Sequence, residues 1–565
     1  MNYVIITILE LLFAIFLVFI NRKFFWKEFK TDKKYIIALS LFFIVLTFVF
    51  NNGLSFLPSW HEWQELYEAK HLNSQTFFQA KQGLVYPVIL APLFKIFGAN
   101  PEAAVLLNLF LAGACIFLVF FLTKIVFKND LISLFTAAIF GLSPPTLWYF
   151  FIMSGWPALT GFWLLCLTIT LVLFFKEPQN FSLGILGMLF ILLLSQTRPE
   201  FFILILLMPL GFLLNLKTII SVYKKISLPK LVLLILIFIL VFVVFSAPIF
   251  AKSVQRKYQG GGTCGFFTSE TKLLTGGIST SNSVPVNQID RAIKSIFNNR
   301  FSIYYIADDL SFLKSYLFIP PFFFILPFLI IGFLVGLKNN FKTTILILFA
   351  VLLPSLIYLL DCTYFLFRYI TPLCGPLIVF AGGGIKFLFE KVGSGFAQKY
   401  SKIALIFLAV LFFFINFNDL TKVRNLIPPS YFGAVEIGDY KEIKEISRGL
   451  NAAESIIVLM HANEEGIWEF LGYKYSQSLS GEISREGFWE NKDGFYQTLN
   501  LELGNYLNSN KKTYFIYNKS SCRLDKHPYS FDPFLCEVTN FILNNYKLNE
   551  VCANKTYSLY KFEKL

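Results

Sequence analysis

The sequence predicts an all-α polytopic membrane domain of about twelve transmembrane helices, followed by a C-terminal α/β domain outside the cytoplasm. Hydrophobic residues make up 56% of the 565 residues, with 69 Phe and a mean hydropathy of +0.62. This exceeds what the core of a soluble protein needs. The apolar residues gather in long stretches, whereas the last part of the chain is polar and mixed. We therefore predict a membrane domain over 1–420 and a soluble domain over 421–565.

Each transmembrane helix needs about 20 mostly apolar residues to cross about 30 Å of hydrocarbon. The first stretch has no small-residue cleavage site after it, which favours a span over a removed signal peptide. Segment 84–97 is shorter and contains Pro87, Pro92 and Lys95, so we interpret it as an interfacial or re-entrant helix. The predicted spans are 3–20, 35–50, 102–127, 130–152, 157–175, 181–196, 198–215, 231–250, 316–336, 342–360, 368–388 and 402–417.

Lysine and arginine in the short connections predict the orientation, because such charges remain in the cytoplasm. They cluster in alternate connections, which are 21–34, 124–128, 176, 217–230, 338–342 and 386–399. The other connections then face outward, and the outer loops 51–101 and 251–315 share that side with the tail. We therefore expect a multi-pass protein of the plasma membrane.

Charge and cysteine usage exclude several classes of function. The net charge of +14 comes mainly from the cytoplasmic connections, so we do not expect nucleic-acid binding. The four His and eight Cys show no metal-type spacing. We predict no bound metal and no cofactor. Cys522 and Cys536 lie on the predicted outer side, where disulfides form, and are the expected pair.

The tail has the alternating pattern of a small α/β domain. YKEIKEISRGL at 440–450 predicts an amphipathic helix. SIIVLM, TYFIYN and TYSLYKF predict short strands, because they are rich in β-branched and aromatic residues.

The first outer loop holds the most informative polar residues. Helical spacing over 59–72 places Glu62, Glu65 and Glu68 near one face and leaves Leu66 and Ala69 to rest against membrane or protein. The alternative interpretation is a surface helix whose carboxylates face water. His61 and two flanking Trp residues favour a catalytic loop, since they add a group that transfers protons and aromatic surfaces for a sugar or a headgroup.

Several motifs occur in the order typical of a known family. The chain resembles the GT-C superfamily of polyprenyl-phosphate-dependent glycosyltransferases, in the branch of protein O-mannosyltransferases and bacterial aminoarabinose transferases. The resemblance spans about 1–420 in motif order, although each motif is short. The matching residues are His61-Glu62, Ala69, Tyr86-Pro87, Phe97-Gly98, Pro144-Pro145, Arg198-Pro199-Glu200, and Arg368-Tyr369 with Pro372. One departure is His61, where the family usually has Asp.

The resemblance implies a reaction and the residues that perform it. A sugar moves from a polyprenyl-phosphate donor to an extracytoplasmic glycan, lipid or protein, and a carboxylate acts as general base. Glu62 alone is the favoured base; the alternatives are that His61 shares the proton transfer or that activity is lost.

The resemblance also implies a set of substrate-binding residues. Arg198 and Arg368 are expected to bind the donor phosphate, and the alternative is structural pairing with Glu200 and Asp361. Asp308 and Asp309 in the second outer loop could orient the acceptor or bind a divalent ion. The alternative is that these two carboxylates are solvated. The full predicted set is Lys81, Tyr86, Arg198, Glu200, Arg368, Tyr369, Asp308 and Asp309.

Two other functions fit a polytopic chain. A transporter or flippase of lipid-linked sugars has its binding site at the bilayer midplane, often between two matching halves. This sequence shows no such halves, and its long polar segments share one predicted side. A non-catalytic scaffold is the third interpretation, favoured by His61 in place of an acid.

Overall fold

The computed structural model describes most of the first 400 residues and much of the tail. The predicted span 402–417, the loop 260–319 and the domain boundary near 420 lie outside the described residues. Those residues are 3–51, 60–72, 83–143, 146, 156–223, 227–259, 320–361, 367–392, 437–458, 467–468, 470–475, 492–509, 511–519, 533–555 and 557–563.

Every secondary-structure element that the structure describes in the first 400 residues is a helix. The elements are α1 (Tyr3–Ile20), α2 (Arg22–Phe29), α3 (Lys33–Asn51), α4 (Trp60–Lys70), α5 (Val85–Phe97), α6 (Pro101–Phe127), α7 (Asp130–Leu142), α8 (Trp156–Lys176), α9 (Phe181–Thr197), a 3₁₀ helix (Pro199–Leu206), α10 (Leu207–Leu214), α11 (Leu216–Tyr223), α12 (Leu228–Gln259), α13 (Pro320–Asn339), α14 (Phe341–Asp361) and α15 (Phe367–Val392).

Five of the described helices are long and apolar enough to cross a membrane, namely Tyr3–Ile20, Pro101–Phe127, Trp156–Lys176, Val232–Ala251 and Pro372–Glu390. Shorter apolar helices occupy Val85–Phe97, Asp130–Leu142, Phe181–Thr197, Pro199–Leu214, Ile325–Asn339 and Phe341–Leu356. The count of about twelve spans stays a prediction. The α5 helix has 13 residues, about 20 Å of length, which is the short helix expected for 84–97.

Backbone contacts hold α13 and α15 together. A Cβ atom on Gly332 would lie 1.7 Å from the carbonyl oxygen of Phe380, and one on Gly384 would lie 2.1 Å from that of Phe328. Only glycine permits so close an approach, which is a common way of packing helices in membranes.

The lysine-rich connections meet at one end of the helical bundle, which we call the lysine end. Their ammonium groups donate mainly to carbonyl oxygens at helix ends, where partners within the helix are missing. The bonds run from Lys124 Nζ to Lys30 O and Thr31 Oγ1, from Lys176 Nζ to Ile125 O (3.2 Å), from Lys386 Nζ to Phe127 O (3.0 Å) and from Lys342 Nζ to Asn215 Oδ1 (3.2 Å). These connections share one side of the bundle, as the charge pattern predicted.

The opposite end of the bundle holds α4 and the start of α5. Val4, at the start of α1, packs with Leu84, Val88, Leu72 and Ala251. The other end of α1 lies at the lysine end, where Asn21 Nδ2 donates to Ser182 Oγ at 2.8 Å. The helix α1 therefore runs from the end that holds α4 to the lysine end.

The tail forms a five-stranded mixed sheet in the order β2-β1-β3-β5-β4. The first three strands in this order are parallel, and β5 pairs antiparallel with β3 and β4. The elements are α16 (Ile437–Ile446), β1 (Ser455–Val458), β2 (Lys474–Tyr475), α17 (Lys492–Leu507), β3 (Lys512–Asn518), α18 (Pro533–Asn545), β4 (Leu548–Ala553) and β5 (Tyr557–Phe562).

The predicted helix and the three predicted strands of the tail are all present, as α16, β1, β3 and β5. The two-residue β2 and the edge strand β4 were not predicted. Cys536 is disulfide-bonded, and its partner lies outside the described residues, so the pairing with Cys522 stays a prediction. Cys115, Cys166, Cys374 and Cys552 are not disulfide-bonded.

Candidate active site

The helix α4 is buried on the face that the sequence assigned to contact with membrane or protein. Leu66 is 1% exposed and Ala69 is 4% exposed. Glu65 and Glu68 are also buried, so for these two carboxylates the interpretation as a water-facing surface helix is wrong. Helical spacing showed which residues share a face but not that another element covers it.

The two predicted catalytic residues lie in the first turn of α4. His61 and Glu62 belong to the helix that begins at Trp60, and their side chains lie outside the described residues. Trp63 follows them and is fully buried, with its ring centroid 5.5 Å from that of Tyr440 in α16. The position of the first turn is therefore fixed by the residue next to Glu62.

The end of α4 contacts the tail through Lys70. Its Nζ donates to the carbonyl oxygen of Phe470 at 2.6 Å. Burial lowers the pKa of Lys70, and the nearby charge of Lys444 lowers it further. Burial and the Lys70 charge also lower the pKa of His71, which favours the neutral imidazole.

Tyr86, a predicted substrate-binding residue, is packed inside the protein. It is 1% exposed, and its hydroxyl donates to Asn108 Oδ1 of α6 at 3.1 Å. This bond joins the start of α5 to α6, which gives Tyr86 a structural role, and its substrate contact stays a prediction.

Arg198 and Glu200 form a buried ion pair where α9 gives way to the 3₁₀ helix. Arg198 Nη2 lies 3.1 Å from Glu200 Oε1, and the side chains are 4% and 9% exposed. The Arg198 guanidinium also lies 4.4 Å from the ring centroid of Trp156, a cation–π distance. The structure shows the pairing of Arg198 with Glu200, and its contact with the donor phosphate stays a prediction.

Gly83, in the first outer loop just before α5, lies directly against this junction. A Cβ atom on Gly83 would be 1.6 Å from the carbonyl oxygen of Gln196 and 2.5 Å from that of Thr197. The first outer loop therefore contacts, at Gly83, the backbone just before Arg198. The fold brings together three parts of the predicted site, which are α4, the start of α5 and the Arg198–Glu200 pair.

A polar network inside the bundle was missed by the sequence analysis. Glu10 of α1 is fully buried, and its Oε2 accepts from Gln196 Nε2. The same nitrogen donates to the carbonyl oxygen of Phe245 at 3.2 Å, and Thr7 Oγ1 donates to Gln196 Oε1 at 2.7 Å. A lone carboxyl inside an apolar span is the signal that could have revealed it.

The remaining predicted residues are not placed by the structure. Lys81, Asp308 and Asp309 lie outside the described residues. Arg368 and Tyr369 belong to the first turn of α15, and their side chains lie outside the described residues. Within the described ranges, no group of three or more His, Cys, Asp or Glu side chains could hold a metal ion.

No protein-family model matches the chain, and no curated protein matches it. The structure is similar to that of ArnT from Cupriavidus metallidurans bound to undecaprenyl phosphate, with a TM-score of 0.55 and 9% identity over 94% of this chain and 98% of that chain. The apo state of the same ArnT has a TM-score of 0.51 and 10% identity over the same shares.

ArnT is an aminoarabinose transferase of the GT-C class. The chain has the GT-C fold. This confirms the fold that the motifs predicted, and together with the apolar helices it supports a membrane protein. The Archaeoglobus fulgidus oligosaccharyltransferase, solved with Zn and sulfate, aligns with 86% of this chain and 68% of its own at a TM-score of 0.48 and 11% identity. That similarity is too low to add to the assignment.

Proposed function

We propose that this protein is a membrane glycosyltransferase that moves a sugar from a polyprenyl-phosphate donor to an acceptor at the end of the bundle that holds α4. The main support is that 94% of the chain aligns with 98% of an ArnT bound to undecaprenyl phosphate. The donor class follows from that lipid.

The proposal places α4 and the sheet outside the cytoplasm. The lysine connections meet at the opposite end of the bundle, and basic connections remain on the cytoplasmic side. Cys536 is disulfide-bonded, and disulfides persist in oxidising compartments. Charge and cysteine chemistry therefore favour the same orientation.

In the proposed reaction, the Glu62 carboxylate accepts the proton of the acceptor hydroxyl or amine. The acceptor oxygen or nitrogen forms a bond to the anomeric carbon, while the bond from that carbon to the donor phosphate oxygen breaks. The electron pair of the broken bond leaves with the lipid phosphate, whose charge the Arg368 guanidinium neutralises. Arg198, already paired with Glu200, holds the junction beneath the loop.

Substitution of the proposed base tests this reaction. General-base assistance contributes about 10²–10⁴-fold, so Glu62→Gln should lose most turnover while expression and folding are retained. Glu390→Gln is the matched control, because Glu390 is an exposed carboxylate next to Lys386, a lysine-end residue. Glu62→Gln protein with the wild-type rate would remove Glu62 from the mechanism.

One assay separates this function from its two rivals. Purified protein in vesicles is given radiolabelled polyprenyl-phosphate sugars with candidate acceptors, with and without EDTA. Transfer or donor hydrolysis supports the enzyme, and loss of either with EDTA indicates a divalent ion. Movement of intact donor across the vesicle membrane indicates a flippase. If neither transfer nor translocation is observed, the protein is a scaffold.

A further inference from the structure

The helix with the proposed base is attached to the tail through Trp63. This residue follows Glu62 in the chain and has no exposed surface. Its ring centroid lies 5.5 Å from Tyr440 and 5.6 Å from Phe470. Aromatic pairs at such distances attract each other beyond the effect of the area they bury. Two side chains from beyond residue 437 therefore fix the backbone next to Glu62.

Phe470 lies at the centre of this contact and is 1% exposed. Besides Trp63, its ring contacts Phe94 of α5 at a centroid distance of 6.2 Å. Lys70 Nζ donates to its carbonyl oxygen at 2.6 Å and lies 5.0 Å from its ring centroid. Trp63 and Lys70 are about two helical turns apart, so Phe470 contacts α4 at two levels and α5 at a third point.

A further contact joins the same part of the tail to the membrane helices. Lys441 of α16 pairs with Glu102, in the first turn of α6, at 3.3 Å. Both side chains are exposed, and such pairs contribute little to stability. The aromatic contacts of Trp63 and the Lys70 bond join α4 itself to the tail.

We propose that the C-terminal domain positions α4 for catalysis, with Phe470 and Lys70 as positioning residues for the base Glu62. This inference rests on the proposed function. The physical reason is that α4 has only 11 residues, and helices this short depend on packing against other elements for their stability. Its direction is set by the elements that pack against it, which are α5 and the tail.

The test uses full-length protein and two measurements. Hydrogen exchange of peptides from 60–72 reports the order of α4, and steady-state transfer kinetics report kcat and KM for the donor. The variants are Phe470→Ala and Lys70→Met, with Lys70→Arg as the conservative variant that keeps a cationic donor. Lys511→Met is the matched control, because Lys511 Nζ also donates to a backbone oxygen, that of Ala453, at 2.8 Å.

We expect faster exchange in 60–72 for Phe470→Ala and Lys70→Met. We also expect kcat to fall by about tenfold or more, because displacement of a catalytic group costs turnover, while KM changes little. Lys70→Arg should restore both values, and Lys511→Met should match the wild type. Unchanged exchange in β3 shows that the sheet remains folded. If exchange in β3 also rises in Phe470→Ala, that variant has disturbed the sheet, and the test then rests on Lys70→Met.

Unchanged exchange in 60–72 for both variants would overturn the attachment. Faster exchange with a normal kcat would show that the attachment is structural and would overturn the positioning role. If wild-type protein transfers no sugar, the proposed function fails, and the catalytic half of this inference fails with it. The exchange data would still decide whether the tail orders α4.

Discussion

Gly83 links the first outer loop to the junction at Arg198, and Gly83→Ala tests whether their close approach matters. The added methyl group would lie 1.6 Å from the carbonyl oxygen of Gln196 and 2.5 Å from that of Thr197. Cβ atoms essentially never approach other atoms within 3.0 Å. To widen the distance between this methyl group and the Gln196 oxygen from 1.6 Å to 3.0 Å, one of the two backbones must move by about 1.4 Å.

The Gly83→Ala substitution is expected to lower both stability and turnover. Overpacking of this kind costs about 1–3 kcal/mol, and both contacting groups are backbone, so neither can rotate away. A shift of about 1 Å at a catalytic site can cost about 10²-fold in rate. We therefore expect Gly83→Ala to fold with a lowered melting temperature and to lose about 10²-fold in donor-dependent transfer.

The assay is transfer from the radiolabelled donor, with thermal unfolding in the same detergent as the measure of stability. Gly449→Ala is the control, because a Cβ atom there would have nothing within 4 Å. If Gly83→Ala keeps both the wild-type rate and the wild-type melting temperature, the loop does not rest on α9 as the structure shows.

Further substitutions test the surrounding structure. Arg198→Lys keeps the charge but loses the planar group that faces Trp156, so thermal unfolding should show a loss of about 1–2 kcal/mol. Glu10→Leu removes the acceptor of the buried Gln196 amide and should lower the free energy of unfolding by about 1–3 kcal/mol, whereas Glu10→Gln should lower it less. Equal melting temperatures of the two variants would contradict the hydrogen-bond network around Gln196. Gly504→Ala in α17 meets nothing within 4 Å and should stabilise the protein by about 0.5–1 kcal/mol, measured by denaturant unfolding.

Much of the fold could be predicted because its causes are local. Composition and stretch length identify apolar helices, since hydrocarbon excludes unpaired backbone groups. The alternating lysine clusters predicted which connections share a side, and Lys124, Lys176 and Lys386 do meet at one end. The β-branched and aromatic runs marked β1, β3 and β5. The two-residue β2 has too little pattern for such a prediction.

The candidate site was predictable only in outline. Motif order indicated α4, Tyr86 and the Arg198 region, and the fold brings these parts together. Their partners could not be predicted, because periodicity identifies a face and not the element that covers it. For Arg198, phosphate binding and pairing with Glu200 were equally consistent with the sequence. The structure shows the 3.1 Å ion pair, and phosphate binding stays a prediction.

By itself, the sequence determined that this chain is a bundle of apolar helices, which side of it bears the lysines, and where a carboxylate-bearing loop begins. Each of these depends on properties of neighbouring residues. The tertiary structure decided that Glu65 and Glu68 are buried and that Phe470 packs on Trp63. Contacts between residues some 400 positions apart arise from packing in three dimensions, on which no local pattern depends.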